Sequence, residues 1–408
     1  MTALLTGRPG RRGLAAGLTG LAVHPAGVVS AMALILAVLP GTASGKDCGS
    51  RAFDRGGTCT TFRAAVQQVD EIARTVLVAE GGKAALVRVQ IGKRTLLSRG
   101  YGESMEGVPA SPRMHFRPGS MVLPLMTTLL LQLQDARQLS LDDTVARWFR
   151  RYPNADRVTL RMLASSTSGY WDYAQQNEPF QKVFQADVFR HWSDDELLRY
   201  AFAQPLACEP GACFHYAHTN FVVLGRILEK VTGQSVTSLM QRRFLGPLRL
   251  RNTRISKRPA IPAPALHAYS TDRGAYEDST SWSPSWSVGV GMVMTSTVSD
   301  MIKVIRAIGS GRLFSRSARR QMAAALSRGL PGAPPPTLDY GLGIDVANGW
   351  LFQNPQANGY IGLLAYLPPR DIAIVVENTN GPGVPEGRAI AGVIAKKITQ
   401  YLAPDRPL

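Results

Sequence analysis

One apolar stretch constrains this 408-residue chain more than any other segment. From Leu123 to Leu133, leucine and methionine recur at spacings of three and four, the pattern of an amphipathic helix. Gly119 and Ser120 end the polar lead-in, so Ser120 is predicted to lie at the helix N-terminus, where free N–H groups and the helix dipole favour an anion. That position suits a nucleophilic serine whose attack creates an oxyanion. The simpler alternative is that Ser120 only caps the helix.

The segments on either side of this helix predict an antiparallel sheet. The order is helix, two strands, a long helical insertion, three strands and helix, which predicts an α/β (α+β) fold with a five-stranded antiparallel sheet flanked by the terminal helices. We place the α/β lobe at residues 59–112 and 287–403 and the inserted helical lobe at 113–286, with the functional site in the cleft between them. The predicted elements are helices at 59–75 and 386–402 and strands at 84–91, 95–102, 349–353, 360–367 and 371–377.

The first 45 residues have the pattern of an export signal. Three arginines precede an apolar run at 28–39, and small residues follow at 40–45. The run is shorter than the roughly 20 residues that span a bilayer, so cleavage is favoured over an uncleaved N-terminal anchor. We therefore expect an exported protein with its domain at residues 46–408. The four cysteines fit that compartment, and Cys48–Cys59 with Cys208–Cys213 is one of three connectivities.

The net charge of +17 raises the question of anionic partners. A basic surface attracts anionic polymers or lipid headgroups, so association with anionic components of the cell envelope is one hypothesis. The arginines are scattered and form no run of five, which favours a general compositional bias instead. Zinc-finger spacing and nucleic-acid-binding motifs are lacking, so we expect no nucleic-acid partner, no metal and no cofactor.

Several stretches of the chain together resemble the serine β-lactamase and penicillin-binding-protein superfamily, most closely its group of class C β-lactamases, D-alanyl-D-alanine carboxypeptidases and esterases. The resemblance covers about residues 60–402 and implies the β-lactamase-like fold. It also implies that Ser120 holds the nucleophile position and Tyr216 the proton-transfer position. The stretches that carry it are Phe116–Ser120, Leu139–Asp143, Thr167–Gly169, Tyr216–Gly233 and Gly359–Pro368.

The catalytic motifs that the resemblance implies are altered at three places. Leu123 stands where the family has the lysine that activates its serine, and His218 stands at the asparagine of the Tyr-x-Asn motif. The strand motif His-x-Gly or Lys-Thr-Gly aligns with 353–355, which reads Gln-Asn-Pro. The substrate-binding positions thus fall on Gln353, Asn354 and Gln356. The oxyanion hole would use backbone N–H groups of Ser120 and of the strand near Gln356, where a proline at 355 is expected to disturb the second donor.

Three hypotheses follow from these changes. The first is a protein with lost or strongly reduced acyl-transfer activity that binds or scaffolds at the cell envelope. The second is an active serine hydrolase of esterase or carboxypeptidase type, in which His218 with Tyr216 replaces the missing base. The third places the nucleophile at Ser166 or Ser168, although neither begins a long apolar helix. In each case the expected ligand is a small molecule, either peptidoglycan-like or an ester.

Overall fold

The computed structural model describes residues 47–385 and 387–408. The predicted export signal lies outside the described residues. None of the helices in the described ranges combines the length and the apolar character needed to cross a bilayer. Both local disulfides are formed, Cys48 with Cys59 and Cys208 with Cys213, which confirms that connectivity.

The described chain contains ten α-helices, numbered in chain order. They are α1 (Phe62–Ala79), α2 (Leu123–Asp135), α3 (Leu160–Ala164), α4 (Glu178–Ala186), α5 (Asp194–Phe202), α6 (His218–Thr232), α7 (Val236–Met240), α8 (Val298–Gly309), α9 (Arg316–Met322) and α10 (Ile390–Leu402). Shorter helical turns occupy Gly119–Val122, Val145–Arg147, Gln241–Leu245 and Pro368–Arg370.

Fifteen strands accompany these helices in the same residues. They are β1 (Ala52–Asp54), β2 (Cys59–Thr61), β3 (Gly82–Ile91), β4 (Arg94–Met105), β5 (Val108–Pro109), β6 (Arg254–Ile255), β7 (Tyr269–Ser270), β8 (Glu277–Asp278), β9 (Met294–Thr295), β10 (Asp339–Tyr340), β11 (Asp345–Ala347), β12 (Trp350–Gln353), β13 (Gln356–Ala357), β14 (Tyr360–Leu367) and β15 (Ile372–Asn380).

Nine strands form one antiparallel sheet in the order β10-β11-β12-β14-β15-β3-β4-β5, with β13 paired to β14. The five predicted strands are its central members, β12, β14, β15, β3 and β4. The sheet is antiparallel as predicted, but its edges carry four more strands of two or three residues each. Segments this short contain too few residues to show an alternating pattern in the sequence.

The two terminal helices pack together on one face of the sheet. Val69 and Ala73 of α1 and Ile394 and Ile398 of α10 are fully buried there. They share an apolar cluster with every second residue of the central strands, for example Ile374 of β15. The predicted flanking of the sheet by N- and C-terminal helices is therefore observed.

The opposite face of the sheet packs against α8, α2 and the helices of the insertion. Leu130 and Leu131 of α2 are fully buried, as are Phe221 and Ile227 of α6. Fully burying a side chain of this size contributes roughly 1.5–3 kcal/mol, so α2 stabilises the insertion and the sheet together. The apolar pattern after residue 119 thus forms a central core helix.

The two terminal helices begin later in the chain than predicted. α1 begins at Phe62 rather than at 59, because residues 59–61 pair as β2 and the Thr61 hydroxyl accepts a hydrogen bond from the Ala64 N–H. α10 begins at Ile390 rather than at 386.

Candidate active site

A cavity of about 320 Å³ lies where the starts of α2 and α6 meet the strands β11 to β13. It brings together all the predicted site residues that remain polar, from segments more than 230 positions apart. The lining residues are Ser120, Gln175, Phe214, Tyr216, His218, Pro334, Tyr340, Asp345, Gln353, Asn354, Pro355 and Gln356. A recess of about 70 Å³ next to it shares Ser120, His218 and Gln356.

Ser120 lies in the 3₁₀ turn Gly119–Val122 that leads into α2, as the apolar pattern predicted. Its side chain makes no capping hydrogen bond, and the capping positions are held by Pro118 and Val122. The simple capping alternative is therefore wrong. Gly119 is needed before the serine, because its φ is +49° and a Cβ there would lie 3.0 Å from the Cβ of Pro355. The backbone that presents Ser120 is thus held against the third strand motif.

Tyr216 lies beside Ser120 on the segment that enters α6. Burial raises the pKa of the Tyr216 phenol well above its ordinary value, and a hydrogen bond with the Ser120 side chain partly opposes that shift. The phenol is therefore neutral at physiological pH. A neutral phenol can donate a proton or pass one along, but it is a weak base. The tyrosine and serine keep the contact that the resemblance implies, without a cation from position 123.

His218 is the first residue of α6, which begins three residues earlier than the apolar pattern indicated. Its Nδ1 lies 2.9 Å from Oδ2 of Asp172, a carboxylate with only 1% exposure. The backbone N–H of Ala174 donates to the other carboxylate oxygen at 3.1 Å. With Asp172 accepting, the ring carries its proton on Nδ1 and Nε2 remains available. The ring also contacts Tyr216 edge-to-face, with centroids 5.3 Å apart.

Asp172 was missed in the sequence because it lies 46 residues before His218. It follows the turn Thr167–Gly169 closely, and that turn was recognised as part of the resemblance. An acid two or three residues after a turn that faces the cavity is a signal that could have identified it. A histidine whose second nitrogen is held by a buried carboxylate is the arrangement that orients a general base.

The third motif reaches the cavity through Gln353, Asn354 and Gln356. Gln353 is buried and its side-chain amide donates to the Gly343 carbonyl at 3.1 Å. The Gln356 amide donates to the Gly387 carbonyl at 3.0 Å on the exposed side. Pro355 lies between them, and its carbonyl accepts the N–H of Gly362 at 2.9 Å. These residues supply neutral amide groups where a histidine or lysine would supply a positive charge.

Asp345 is a cavity residue that the sequence reasoning did not identify. It begins β11, opposite Tyr340 of β10, and is only 8% exposed. Burial raises the pKa of its carboxyl to about 7 from an ordinary 3.8. Its charge also contributes to the raised pKa values of Tyr216 and Tyr340. An acid inside the apolar run Leu342–Val346 is the signal that could have drawn attention to it.

The altered lysine position is apolar in structure as well as in sequence. Leu123 is fully buried in the core that α2 shares with the sheet. Its carbonyl oxygen lies 3.4 Å from where a Cβ of Gly343 would be, so the segment leading to Asp345 packs on the first turn of α2. Pro124 is accommodated in that first turn, where its missing N–H costs least.

The alternative nucleophiles lie outside the cavity. Ser166 and Ser168 are both buried, and neither forms part of the cavity wall in the described chain. The Ser168 hydroxyl donates to Asn220 Oδ1 and accepts the N–H of Tyr170. Ser168 therefore joins the turn to α6, and Ser120 is the serine that the cavity exposes. Across residues 47–385 and 387–408, no group of three His, Cys, Asp or Glu side chains is placed to hold a metal ion.

Comparison with known proteins decides the family. The family model described as Beta-lactamase matches residues 62–397. The chain belongs to the β-lactamase family. The resemblance inferred from the motifs and the predicted β-lactamase-like fold are therefore confirmed.

Individual relatives of this β-lactamase-family chain differ in activity. The chain is 25% identical over 253 residues to the putative penicillin-binding protein PbpX of Bacillus subtilis, covering 61% of this chain and 58% of that protein. It is 25% identical over 201 residues to the esterase EstB of Burkholderia gladioli, covering 47% and 49%. The matches thus span less than two thirds of each relative.

A solved structure matches over a greater length. A D-stereospecific amidohydrolase from Streptomyces sp. superposes with a TM-score of 0.70 at 26% identity, covering 84% of this chain and 98% of that one. The fold of this β-lactamase-family chain thus matches nearly the whole of that amidohydrolase, while the cavity differs from the motif pattern at Leu123, His218 and 353–355.

Proposed function

We propose that this chain is a serine hydrolase that cleaves small neutral esters or amides by acyl transfer through Ser120, at a lower rate than relatives that keep the lysine. The single observation that carries the proposal is the His218–Asp172 pair beside Ser120 and Tyr216. A buried carboxylate that fixes one ring nitrogen and leaves the other free is what a general base requires. The names of the esterase and amidohydrolase relatives support the same reaction class.

In the proposed acylation step, Ser120 Oγ attacks the substrate carbonyl carbon and its proton passes to His218 Nε2. The transfer is direct or runs through the Tyr216 hydroxyl, whose pKa the neighbouring Ser120 side chain lowers. Asp172 compensates the positive charge that the ring acquires. The leaving alcohol or amine takes that proton, and water then attacks the acyl-serine ester to release the acid. Backbone N–H groups of Ser120 and of the strand near Gln356 would bind the oxyanion.

Asp345 gives the proposed site a second proton-carrying group. Burial raises the pKa of its carboxyl to about 7, and its charge acts on Tyr216 through space. A group that titrates near the working pH is suited to general acid–base catalysis. In this proposal Asp345 supports Tyr216, and His218 activates Ser120.

The charges around the cavity favour a substrate without a carboxylate. Asp345 lines the cavity, Asp172 is bonded to the lining residue His218, and the motif residue that would bind a substrate carboxylate is the neutral Gln353. A carboxylate-bearing D-alanyl peptide or penicillin would meet like charge without a partner. The apolar walls Phe214, Pro334 and Tyr340 fit a short acyl chain. We therefore favour a neutral ester over a peptidoglycan-like substrate.

A second candidate function is binding without turnover, as a scaffold or ligand-binding protein at the cell envelope. Two features favour it: the buried Leu123 removes the activating cation, and Pro355 lies at the expected oxyanion donor strand. Loss of an effective general base costs on the order of 10² to 10⁴ in rate. The two candidates differ in whether His218 restores that contribution.

The test is hydrolysis of p-nitrophenyl acetate and butyrate by the purified chain and its variants. Ser120→Ala is expected to abolish turnover, and His218→Ala to lower kcat on the order of 10²-fold or more. Asp172→Asn is expected to lower kcat with little change in KM, because it removes ring orientation without touching substrate. Fluorescent penicillin labelling is expected to be weak.

The chain contains a matched control for the histidine substitution. His267 also pairs its Nδ1 with a carboxylate, Asp278 Oδ2 at 2.6 Å, but on the surface and away from the cavity. His267→Ala should leave turnover unchanged. If folded wild-type protein shows neither turnover nor penicillin labelling, the hydrolase proposal fails and binding without turnover takes its place. If His218→Ala retains wild-type turnover, His218 is not the general base.

Export is part of the proposal. The two disulfides suit an oxidising compartment such as the periplasm or the cell exterior. Detection of the full-length chain and a chain lacking residues 1–45 in separated cell fractions tests this. Export that does not depend on residues 1–45 would contradict their role as a signal or anchor.

A further inference from the structure

A second cavity, of about 490 Å³, lies at the other end of β14 from the candidate active site. We call it the basic cavity. It is formed by the β3–β4 turn, the β14–β15 turn, the end of α8 and the loop before β6. Its charged lining residues are Lys93, Arg249, Lys303, Arg306, Arg312 and Asp371. The two cavities share no lining residue.

The distance between the two cavities can be read along β14. Gly362 bonds to Pro355 at the candidate active site, and Tyr366 lies four residues further along the strand. At about 3.3 Å per residue, roughly 13 Å of extended strand separates these points. A ligand in the basic cavity would therefore not contact Ser120.

Five of the lining side chains are cations and one is an acid. Arg306 is paired with Asp371, its Nε and Nη2 lying 3.1 and 2.6 Å from the two carboxylate oxygens. Lys303 Nζ lies 2.7 Å from Oδ1 of Asp300, a fully buried acid behind the cavity. These two acids account for two of the five positive charges.

Three positive charges remain without an acidic partner in the described chain: Lys93, Arg249 and Arg312. They come from three different segments and surround one opening, so the fold concentrates charge that is scattered in the sequence. Arg306 and Arg319 also lower the pKa of Tyr366, although burial dominates and raises it to about 12. The Tyr366 hydroxyl bonds to Asp371 Oδ1 at 3.0 Å, and this contact also raises its pKa, so the unpaired positive charge lies at the opening rather than at the floor.

We propose that the basic cavity binds an anion that carries a phosphate group. The C-terminal end of α8 faces this region, and its dipole does not attract anions, so the side chains must supply the attraction. Two guanidinium forks and an ammonium group match the several oxygens of a phosphate. Gln90 and Ser310 are additional polar groups in the wall. The volume leaves room for a group beyond the phosphate itself.

Three ion pairs between a phosphate and these solvent-screened cations correspond to a dissociation constant on the order of 1 mM for a single phosphate group. A phosphate carried on a surface that presents many copies would bind more tightly through multivalency. The same chemistry is offered by free phosphate esters and by the headgroups of anionic phospholipids. The test therefore needs one arm for each source.

In the first arm, the full-length protein is titrated with inorganic phosphate at low salt, and binding is measured by isothermal titration calorimetry. Arg249→Glu with Arg312→Glu is expected to weaken binding at least tenfold. The matched control is Arg63→Glu with Arg113→Glu, two exposed arginines outside both cavities that change net charge equally. The second arm is co-sedimentation with phosphatidylglycerol vesicles and with neutral phosphatidylcholine vesicles, using the same variants.

Phosphate binding that the cavity variant weakens and the control variant does not supports the proposal with a soluble ligand. Selective loss of phosphatidylglycerol binding in the cavity variant supports it with a lipid headgroup. Equal loss in both variants would show that net charge alone is responsible, and would overturn the proposal. Absence of binding in both arms would overturn it as well. Ester hydrolysis should be the same in the cavity variant and in wild type, whatever the outcome for Ser120.

Discussion

The burial of Asp345 should make the chain less stable as pH rises, and Asp345→Asn should remove that dependence. The carboxyl has a pKa of about 7 in the folded chain and 3.8 as its ordinary value. A raised carboxyl pKa means that the folded state holds the proton that the unfolded state releases. The contribution of this group is therefore fully favourable below pH 3.8, declines between 3.8 and 7, and is lost above 7.

The magnitude follows from the two pKa values. Each unit of difference corresponds to 1.36 kcal/mol, so about three units correspond to roughly 4 kcal/mol at pH 8. Asparagine resembles the protonated acid in size and in carrying both a donor and an acceptor. Asp345→Asn is thus expected to be roughly 4 kcal/mol more stable than wild type at pH 8, and 1–2 kcal/mol more stable at pH 5.

The assay is urea unfolding of both proteins at a series of pH values from 4 to 8, with the disulfides kept oxidised. Asp339→Asn is a suitable control in the neighbouring strand, because Asp339 pairs with Arg328 and its loss should bring no gain at pH 8. If the difference between wild type and Asp345→Asn is the same at pH 4 and pH 8, the burial argument is refuted. If the variant gains stability but loses ester hydrolysis, the chain keeps the destabilising buried carboxyl because activity requires it.

Three further changes probe other parts of the structure. Gly119→Ala should destabilise the chain by roughly 1–3 kcal/mol and lower esterase activity, because alanine disfavours the positive φ at this position and its Cβ would crowd Pro355. Thermal unfolding and ester kinetics test this, and an unchanged melting temperature would contradict the geometry. Removing the Cys208–Cys213 disulfide by Cys208→Ser with Cys213→Ser should lower the free energy of unfolding by about 2 kcal/mol, the chain-entropy value for so short a loop. A loss near 5 kcal/mol in urea unfolding would contradict that account. Glu377→Gln should be more stable than wild type in urea unfolding at pH 8. Burial raises the pKa of this carboxyl well above its ordinary range, and neither of its oxygens has a hydrogen-bond partner. A less stable variant would show that other groups in the folded chain stabilise the carboxylate.

Much of the fold was predictable because it depends on local patterns. The spacing of leucines after residue 119 identified α2, and Gly92-Lys93 between two alternating runs identified the β3–β4 turn. The short turn between Cys208 and Cys213 indicated their disulfide. These features involve residues close in sequence, so periodicity and turn chemistry are enough to find them.

The site was less predictable because it depends on contacts across the chain. The resemblance identified Ser120, Tyr216 and the strand near Gln353, and the structure brings them to one cavity. Their catalytic roles stay predictions. The pairing of His218 with Asp172 and the entry of Asp345 from β11 depend on tertiary packing. The helix start at His218 was also missed, because polar residues in a first turn carry no apolar period.

Two of the altered motif positions share one effect, which is the loss of positive charge from the cavity. The family pattern implies a lysine at position 123 and a basic residue at 353, and this chain has leucine and glutamine there. Both changes remove positive charge from a cavity that contains Asp345 and adjoins Asp172. His218 is the one ionisable residue among the altered motif positions.

Among the residues that line the cavity in the described chain there is no lysine or arginine to attract a carboxylate, so the lining suits a neutral substrate. The prediction that follows is selectivity by charge. Of two p-nitrophenyl esters of equal chain length, the neutral butyrate should be hydrolysed with higher kcat/KM than the hemisuccinate, which bears a carboxylate. Gln353→Lys should narrow or reverse that preference. A wild-type preference for the hemisuccinate would show that the cavity still binds carboxylates, and the argument from charge would then be wrong.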